Sequence, residues 1–199
     1  EDAPETEGVT MENIFGKVAK RAVLNAEIHF ENVKVPAENR LEKVRSFRDA
    51  AMVLFNGRYG VSWEAAGCAA GAFEHALKYA LEREQFGKPI AGFQLIQEKL
   101  VEMASEVTAM QAMCWQLAEN AQRGTLTEAM SSMAKYHNAR KARRVTQLAR
   151  ETLGGNGIAI ENHIARLWTD AEVIYTYEGS NEINMLIVGR DTTGMNAFV

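Results

Sequence analysis

The residues that could do chemistry are concentrated around Glu178, near the end of the chain. Glu178 follows an apolar and aromatic run that includes Ile174, Tyr175 and Tyr177, and Gly179 comes directly after it. A carboxylate in apolar surroundings takes up a proton more readily than one in water, which a general base near neutral pH requires. Gly179 has no side chain, so a substrate could approach the backbone there. Taken alone, these residues fit a solvated glutamate in a turn better, because most carboxylates are exposed.

Three other positions allow both a structural and a functional interpretation. Arg83 lies at a predicted helix end, where a cation stabilises the helix dipole, but its guanidinium could also bind a phosphate. The run Leu153-Gly-Gly-Asn-Gly157 could simply stop a helix, or it could let backbone amides approach a cofactor diphosphate. It lacks the strand-then-helix context of a Rossmann fingerprint. Arg58 could serve an acidic ligand group or form a structural ion pair.

A basic run on the third predicted helix is best interpreted as a solvated or intersubunit salt-bridged face. Its members are Lys135, Arg140, Lys141, Arg143, Arg144 and Arg150. The chain carries 26 acidic and 22 basic residues, a formal net charge of −4, which gives no reason to expect a nucleic acid or an anionic membrane as partner.

Composition excludes several other classes. No apolar run reaches the roughly 18 residues that suggest a membrane span. The four histidines have no ligand spacing with one another or with cysteine, so we expect no metal site. Cys68 and Cys114 do not make a disulfide framework, which favours a reducing compartment. That compartment would be the cytoplasm in a bacterium or the mitochondrial matrix in a eukaryote.

Residues 1–10 have the composition of a solvated end, and residues 26–35 alternate like a strand with a turn at Glu31 and Asn32. Because one or two strands do not make a stable sheet, we expect their sheet to lie elsewhere, in another chain or in a missing segment. From about Phe47 the pattern is helical. The first helix is predicted over residues 48–86, and Gly57 and Gly60 leave open an interruption.

The second helix has the clearest signal, because Ile96 begins a run of apolar residues at alternating spacings of four and three that ends at Ala121. Thr125 and Glu128 predict a capping box for the third helix, which ends at Leu153. Shorter helices are predicted over residues 164–172 and 180–190. Long helices with glycine turns between them predict a mainly α fold built as an up-and-down four-helix bundle.

Four motifs resemble the carboxy-terminal half of the flavin-dependent acyl-CoA dehydrogenases, in the same order. They are Arg83-Glu-Gln-Phe-Gly-Lys-Pro-Ile90, then Phe93-Gln94 with Gln97, then Leu153-Gly-Gly-Asn-Gly157, and then Tyr177-Glu-Gly-Ser180. Asn56-Gly-Arg-Tyr-Gly60 and the segment from Gly189 to Phe198 look most like the glutaryl-CoA dehydrogenase branch. The resemblance implies that residues 1–46 hold an acidic end and a remnant of a middle β domain, and that residues 47–199 form the carboxy-terminal bundle domain.

The resemblance also implies roles for individual residues. Glu178 would remove the α-proton of an acyl-CoA thioester, the β-hydrogen would pass as hydride to the flavin of FAD, and a 2-enoyl-CoA would result. The backbone N–H of Glu178 would polarise the thioester carbonyl. The FAD contacts would be Arg83 and Gln94 of a neighbouring subunit, together with Glu151, Thr152, Leu153, Gly154, Gly155, Ser180, Asn181 and Glu182. The residues bordering the acyl-CoA would be Phe55, Asn56, Arg58, Gly179 and Phe198.

Three residues depart from the pattern of many relatives. Glu151 stands where glutamine is common and places a negative charge near the cofactor. Ser180 replaces threonine and keeps the hydroxyl, and Asn184 stands where several relatives have glutamine.

The sequence therefore predicts an FAD-dependent acyl-CoA dehydrogenase similar to glutaryl-CoA dehydrogenase, represented here by about half of a typical member. Its expected partners are an acyl-CoA, an electron-transfer flavoprotein or similar acceptor, and three further copies in a homotetramer. An acyl-CoA oxidase of the same fold and a catalytically inert helical oligomerisation module are the alternatives.

Overall fold

The computed structural model describes residues 7–197, apart from the side chains of Phe47, Arg48 and Ala50. The chain divides into two compact units, one ending at Ala50 and one beginning at Ala51. The elements, in chain order, are strands β1 (Val9–Asn13) and β2 (Ala26–Phe30), helix α1 (Phe47–Glu82), the two-residue strands β3 (Glu84–Gln85) and β4 (Lys88–Pro89), and helices α2 (Gln94–Gln122), α3 (Glu128–Leu153), α4 (Ile164–Thr176) and α5 (Asn181–Thr193). The prediction of a mainly α fold is confirmed.

The amino-terminal unit contains a two-stranded antiparallel ribbon. β1 pairs with β2 in the register Val9 to Phe30 through Asn13 to Ala26. Residues 9 and 10 therefore belong to a strand, and their assignment to a solvated end was wrong. The predicted turn at Glu31 and Asn32 is present as a bend that ends β2, with a φ of 51° at Asn32, but residues 33–35 beyond it do not form a strand. Apolar side chains of the ribbon are exposed, for example Phe30 at 71%.

The carboxy-terminal unit is built around α3, which packs against α2, α4 and α5. Its core is formed by apolar stripes at three- and four-residue spacing, because that spacing places side chains on one face of a helix. Small residues dominate the stripe of α1 and let the other helices approach closely. The core includes Ala65, Ala69, Ala72 and Ala76 of α1, Met103, Met110 and Cys114 of α2, Ala142, Val145 and Ala149 of α3, and Ile164 and Ile174 of α4.

α1 is one continuous helix across Gly57 and Gly60, so neither glycine interrupts it. It ends at Glu82, earlier than predicted, because the following residues form the small β3–β4 hairpin. At the tip of that hairpin Phe86 and Gly87 have φ values of 53° and 78°. Such values end a helix, since side chains rarely adopt the left-handed region within one.

The capping residue of α3 is Thr127, and the prediction of Thr125 was wrong. Thr127 Oγ1 accepts a hydrogen bond of 3.2 Å from the backbone N–H of Met130. The Thr125 hydroxyl instead donates to Asn120 Oδ1 at 3.0 Å, in the connection from α2. Thr127 directly precedes Glu128, the first residue of the helix, so its hydroxyl and not that of Thr125 meets a free N–H group of the first turn.

Within residues 7–197 no helix combines the length and the apolar character that a bilayer crossing requires. The same part of the chain contains no group of three or more histidine, cysteine or acidic side chains arranged to hold a metal ion.

Candidate active site

The turn between α4 and α5 has an unusual backbone at two successive residues. Glu178 has a φ of 57° and Gly179 a φ of 78°, both in the left-handed region. Glycine adopts this region freely, but for glutamate it is uncommon and has to be stabilised by the surrounding structure. Ser180 then caps α5, its Oγ accepting from the backbone N–H of Ile183 at 3.4 Å. The backbone conformation at Glu178 therefore sets the direction of its side chain.

The carboxylate of Glu178 lies against α1 at Gly57. A Cβ atom built on Gly57 would be 2.1 Å from Glu178 Oε2 and 2.6 Å from its Cδ, so any other residue there would displace the carboxylate. Glu178 is half-buried. The structure thus favours a carboxylate held between two elements over a solvated turn residue.

A buried lysine donates hydrogen bonds to the backbone of the turn. Lys135 of α3 is 0% exposed, and its Nζ donates to the backbone oxygens of Tyr175 and Gly179, both at 2.9 Å. Asn184 of α5 donates from Nδ2 to the same Gly179 oxygen at 2.9 Å and to the Ser180 oxygen at 3.0 Å. Two side chains from two helices therefore converge on one carbonyl of the turn.

Burial lowers the pKa of Lys135 to about 8. The carboxylates of Glu182 and Glu178 act in the opposite direction and raise this pKa, while the nearby guanidinium of Arg58 lowers it further. A positive charge in this position is costly to bury, so it depends on the carbonyl oxygens and carboxylates around it.

The prediction of a solvated basic face on α3 was wrong for Lys135. Its signal was present in the sequence, because the buried stripe of Ala142 and Val145 continues backward through Asn138 and Lys135 to Ser131 at spacings of three and four. Three other residues of the basic run form ion pairs within the chain, with carboxylates of α2 and α4, and not the intersubunit pairs that the sequence left open. Arg143 bonds Glu172 at 2.9 Å, Arg144 bonds Glu102 at 2.6 Å, and Lys141 bonds Glu106 at 2.5 Å.

Arg58 lies beneath the same turn and forms an ion pair. It is 4% exposed, and its Nη1 donates to Glu128 Oε1 at 2.7 Å. Its Nε has no hydrogen-bond partner within the described residues and would lie 3.6 Å from a Cβ built on Gly179. Of the two interpretations left open by the sequence, the structural ion pair is observed.

Two tyrosines that precede the turn donate hydrogen bonds to carboxylates of neighbouring helices. The hydroxyl of Tyr177 donates to Glu64 of α1, and burial together with that carboxylate raises the pKa of Tyr177. The hydroxyl of Tyr175 donates to Glu182 Oε1 at 2.7 Å, and this bond is the main cause of a lowered pKa of Glu182. The arrangement joins the end of α4 to α1 and to α5.

The predicted cofactor residues at the end of α3 divide into two groups. The side chains of Thr152 and Leu153 are buried, and the Thr152 hydroxyl donates to Leu148 within the helix, so only their backbone could meet a ligand. Gly154 and Gly155 are exposed, and a Cβ at either would meet no atom within 4 Å. Their backbone is open to a close approach.

Glu151 does not present an unbalanced negative charge. Its carboxylate accepts from Lys99 of α2 at 2.9 Å and from Gln147 at 3.0 Å. The bond with Lys99 is the main cause of a lowered pKa of Glu151. The negative charge that glutamate brings to this position is therefore balanced by a lysine on the neighbouring helix.

The remaining predicted residues lie in two places. Arg83 and Gln94 are exposed on either side of the β3–β4 hairpin. Phe55, half-buried, and Asn56, exposed, precede Gly57 on α1, beside the Glu178 carboxylate. Phe198 lies outside the described residues.

The structure thus brings Arg58, Glu178 and Gly179 together. It places Glu151 at the other end of α3, about 24 Å from Lys135 by the 1.5 Å rise per residue.

Residues 47–193 match the family model described as "Acyl-CoA dehydrogenase, C-terminal domain". The chain belongs to the acyl-CoA dehydrogenase family. The motif resemblance is thereby confirmed.

Three relatives illustrate the similarity. A short-chain specific acyl-CoA dehydrogenase of Megasphaera elsdenii is 38% identical over 82% of this chain and 43% of its own length. Subunit CarC of the caffeyl-CoA reductase-Etf complex of Acetobacterium woodii is 33% identical over 92% of this chain and 48% of its own. A structure of glutaryl-CoA dehydrogenase from Mycobacterium smegmatis in complex with FADH2 superposes with a TM-score of 0.95 at 31% identity, over 98% of this chain and 50% of that one. The chain spans about half the length of these relatives.

Proposed function

We propose that this chain forms the carboxy-terminal part of an FAD-dependent acyl-CoA dehydrogenase that oxidises an acyl-CoA thioester to the 2-enoyl-CoA. The observation that carries the proposal is the position of the Glu178 carboxylate. It is half-buried, aimed by a left-handed backbone and accommodated by the missing side chain of Gly57. A base has to be held in this way to remove a proton from a bound substrate.

The residues at the end of α3 fit a flavin dinucleotide. The exposed backbone of Gly154 and Gly155 has open space around it, as the approach of a diphosphate requires. Lys99 balances Glu151, which would otherwise repel that diphosphate. On the α5 side, Asn181 is 1% exposed and its Oδ1 has no partner within the described residues, which leaves an acceptor for a ligand donor.

The other proposed FAD contacts are Arg83, Gln94, Thr152, Leu153, Ser180 and Glu182. FAD, when bound, would supply the acceptor for the hydride that leaves the β-carbon. We place Arg83 and Gln94 on the FAD of a neighbouring subunit, in a homotetramer.

The contribution of the chain itself begins at Glu178. Its carboxylate would take the α-proton, and its backbone N–H would donate to the thioester oxygen as negative charge develops there. Phe55, Asn56 and Gly179 would border the acyl chain beside the carboxylate, with Arg58 beneath them and Phe198 completing the border. The hydrogen bond from Tyr177 to Glu64 would fix the residue that directly precedes Glu178.

For the substrate we propose a glutaryl-CoA-like thioester, on the basis of Asn56-Gly-Arg-Tyr-Gly60 and the segment 189–198. The relatives differ in substrate, since one is named short-chain specific and another belongs to a caffeyl-CoA reductase complex. For the acceptor we propose an electron-transfer flavoprotein, because the second relative is a subunit of an Etf complex.

The replacement Glu178→Gln tests the proposed function. It keeps the shape of the side chain but removes the base, so we expect turnover of glutaryl-CoA to fall about 10²–10⁴-fold with FAD content unchanged. Glu172→Gln is the matched control, because Glu172 is a carboxylate of α4 paired with Arg143 and is not among the proposed site residues. Turnover by Glu178→Gln equal to that of Glu172→Gln would remove Glu178 from this role.

Two further observations separate the alternatives. Peroxide formation with acyl-CoA and no added electron acceptor would support an acyl-CoA oxidase. A purified chain that stays colourless in the presence of FAD would instead support an inert helical module.

A further inference from the structure

We propose that Lys135 is a positioning residue, which fixes the turn between α4 and α5 so that the Glu178 carboxylate faces the acyl site. This inference rests on the proposed function of Glu178 as the base. It concerns a residue of α3 that does not reach the acyl site itself, and it explains why a lysine lies in the interior of the bundle.

The first argument is the pair of acceptors that Lys135 joins. The Tyr175 oxygen belongs to the last turn of α4, where backbone carbonyls lack partners within the helix, and the Gly179 oxygen belongs to the turn itself. A cation at the carboxyl end of a helix is also favoured by the helix dipole. Lys135 therefore connects the end of α4 to the residue directly after Glu178.

The second argument is the backbone of Glu178. A glutamate at a φ of 57° persists only when its surroundings determine it. The residue before it is held by the bond from Tyr177 to Glu64, and the residue after it by Lys135 and Asn184. Lys135 is the member of this set that contributes a full charge from the bundle interior.

The third argument is the burial of the charge. An ammonium group at 0% exposure is unfavourable unless its donors are used, and here two of them meet carbonyl oxygens at 2.9 Å. The facing charged groups are Glu178 and Glu182, which attract it, and Arg58, which repels it. Loss of Lys135 would leave Tyr175 without its bond and Gly179 dependent on Asn184 alone.

The first test is hydrogen exchange on Lys135→Met, which keeps the length of the side chain but cannot donate. We expect amide exchange over residues 177–184 to become roughly tenfold faster, because a hydrogen bond to a charged group is lost. Lys141→Met is the matched control on α3, since Lys141 bonds Glu106 of α2 and does not contact the turn. Exchange over residues 177–184 equal to that of the control would overturn the proposal.

The second test is kinetic and uses the FAD-loaded protein. We expect Lys135→Met to lower kcat on the order of 10²-fold, as a misplaced base does, while KM for the acyl-CoA changes little. The isotope effect on kcat with α-deuterated acyl-CoA should rise, because proton removal becomes slower. A purely structural loss would lower the amount of folded enzyme but leave kcat per bound FAD and the isotope effect unchanged, and that result would overturn the proposal.

The two tests also separate this inference from the proposed function. If the wild-type protein shows no dehydrogenase activity, the proposed function fails, and hydrogen exchange still decides whether Lys135 fixes the turn. If Lys135→Met does not fold, Lys135→Leu takes its place, since its apolar side chain also cannot donate a hydrogen bond. Exchange and kcat of Lys135→Leu equal to those of Lys141→Met would also overturn the proposal.

Discussion

The two turns that follow α3 and α4 both contain a glycine with a positive φ, but the surroundings of the two glycines differ. In the turn after α3, Gly154 and Gly155 are exposed with open space around them. In the turn after α4, Gly179 lies close to Asn184 and Arg58, and its oxygen accepts from Lys135. The first leaves backbone accessible to a ligand, whereas the second fixes the direction of the side chain before it.

The carboxylates at the two turns differ in the same way. Glu151 is bonded to Lys99 and Gln147, which lower its pKa and keep it charged. Glu178 instead meets Gly57, where the absence of a side chain leaves room for the carboxylate. A glutamate engaged by two donors is poorly suited to take up a proton. The comparison therefore supports the proposal that Glu178, and not Glu151, is the base.

The largest effect on stability is expected at Gly157, in the turn after α3. A Cβ at Gly157 would lie 2.3 Å from the backbone oxygen of Arg150, and a backbone atom cannot move aside cheaply. We expect Gly157→Ala to lower the free energy of unfolding by about 3 kcal/mol or more, at the upper end of overpacking effects. Gly155→Ala should change it by less than about 0.5 kcal/mol, because no atom lies within 4 Å. Urea denaturation of both variants measures the difference, and equal stabilities would contradict it.

An effect on stability of similar size, dependent on pH, is expected from Lys135, which contacts the turn after α4. Burial lowers the pKa of Lys135 from 10.5 to about 8, so between these values the unfolded chain binds the proton that the folded chain has lost. Stability contributed by this group therefore rises with pH in that window. We expect the wild type to gain about 3 kcal/mol relative to Lys135→Met between pH 7 and pH 10.5, at 1.36 kcal/mol per pKa unit.

Urea denaturation of both proteins at several pH values in this window measures the gain. The tyrosines with raised pKa values, Tyr175 and Tyr177, are present in both proteins, so their contribution largely cancels in the difference. A difference in stability that stays constant across the window would show that Lys135 has no lowered pKa.

The smallest effect sharpens the comparison between the two turns. Gly154 and Gly179 have φ values of 58° and 78°, which residues with a side chain rarely adopt, so alanine at either should cost about 1–3 kcal/mol of stability through backbone strain. Only Gly179→Ala would also press on Asn184, whose Nδ2 would lie 3.3 Å from the new Cβ. Hydrogen exchange over residues 177–184 should therefore increase in Gly179→Ala and not in Gly154→Ala. Equal exchange in the two variants would mean that the turn after α4 is not held by its neighbours.

Most of the helical architecture could be predicted because it depends on local spacing. The run from Ile96 to Ala121 predicted α2 nearly to its ends, since a repeated interval of three and four residues can bury only one face of a helix. Gly57 and Gly60 misled the prediction in α1. Isolated glycines only weaken a helix, and packing of the alanine stripe outweighs their cost.

The site was predicted in part. Glu178 and Gly179 were singled out by their composition, which alone favoured a solvated turn, and the family resemblance gave them their proposed roles. Arg58 was recognised as an arginine with two interpretations. Lys135 was assigned to a solvated face because its charge was given more weight than its position on the buried stripe of α3. The role of Gly57 could not be predicted, since nothing near it in sequence indicates that a carboxylate 121 residues later occupies the space of its side chain.

The sequence by itself determined which segments become helices and which residue types could act at the turn, because these properties depend on neighbours within a few positions. Only the tertiary structure decided that Gly57, Lys135 and Asn184 converge on the Glu178 turn from three different helices. The physical reason is that a buried charge and a left-handed glutamate are unfavourable where they stand alone. They become stable only when helices distant in sequence pack together and supply the acceptors, the donors and the empty space.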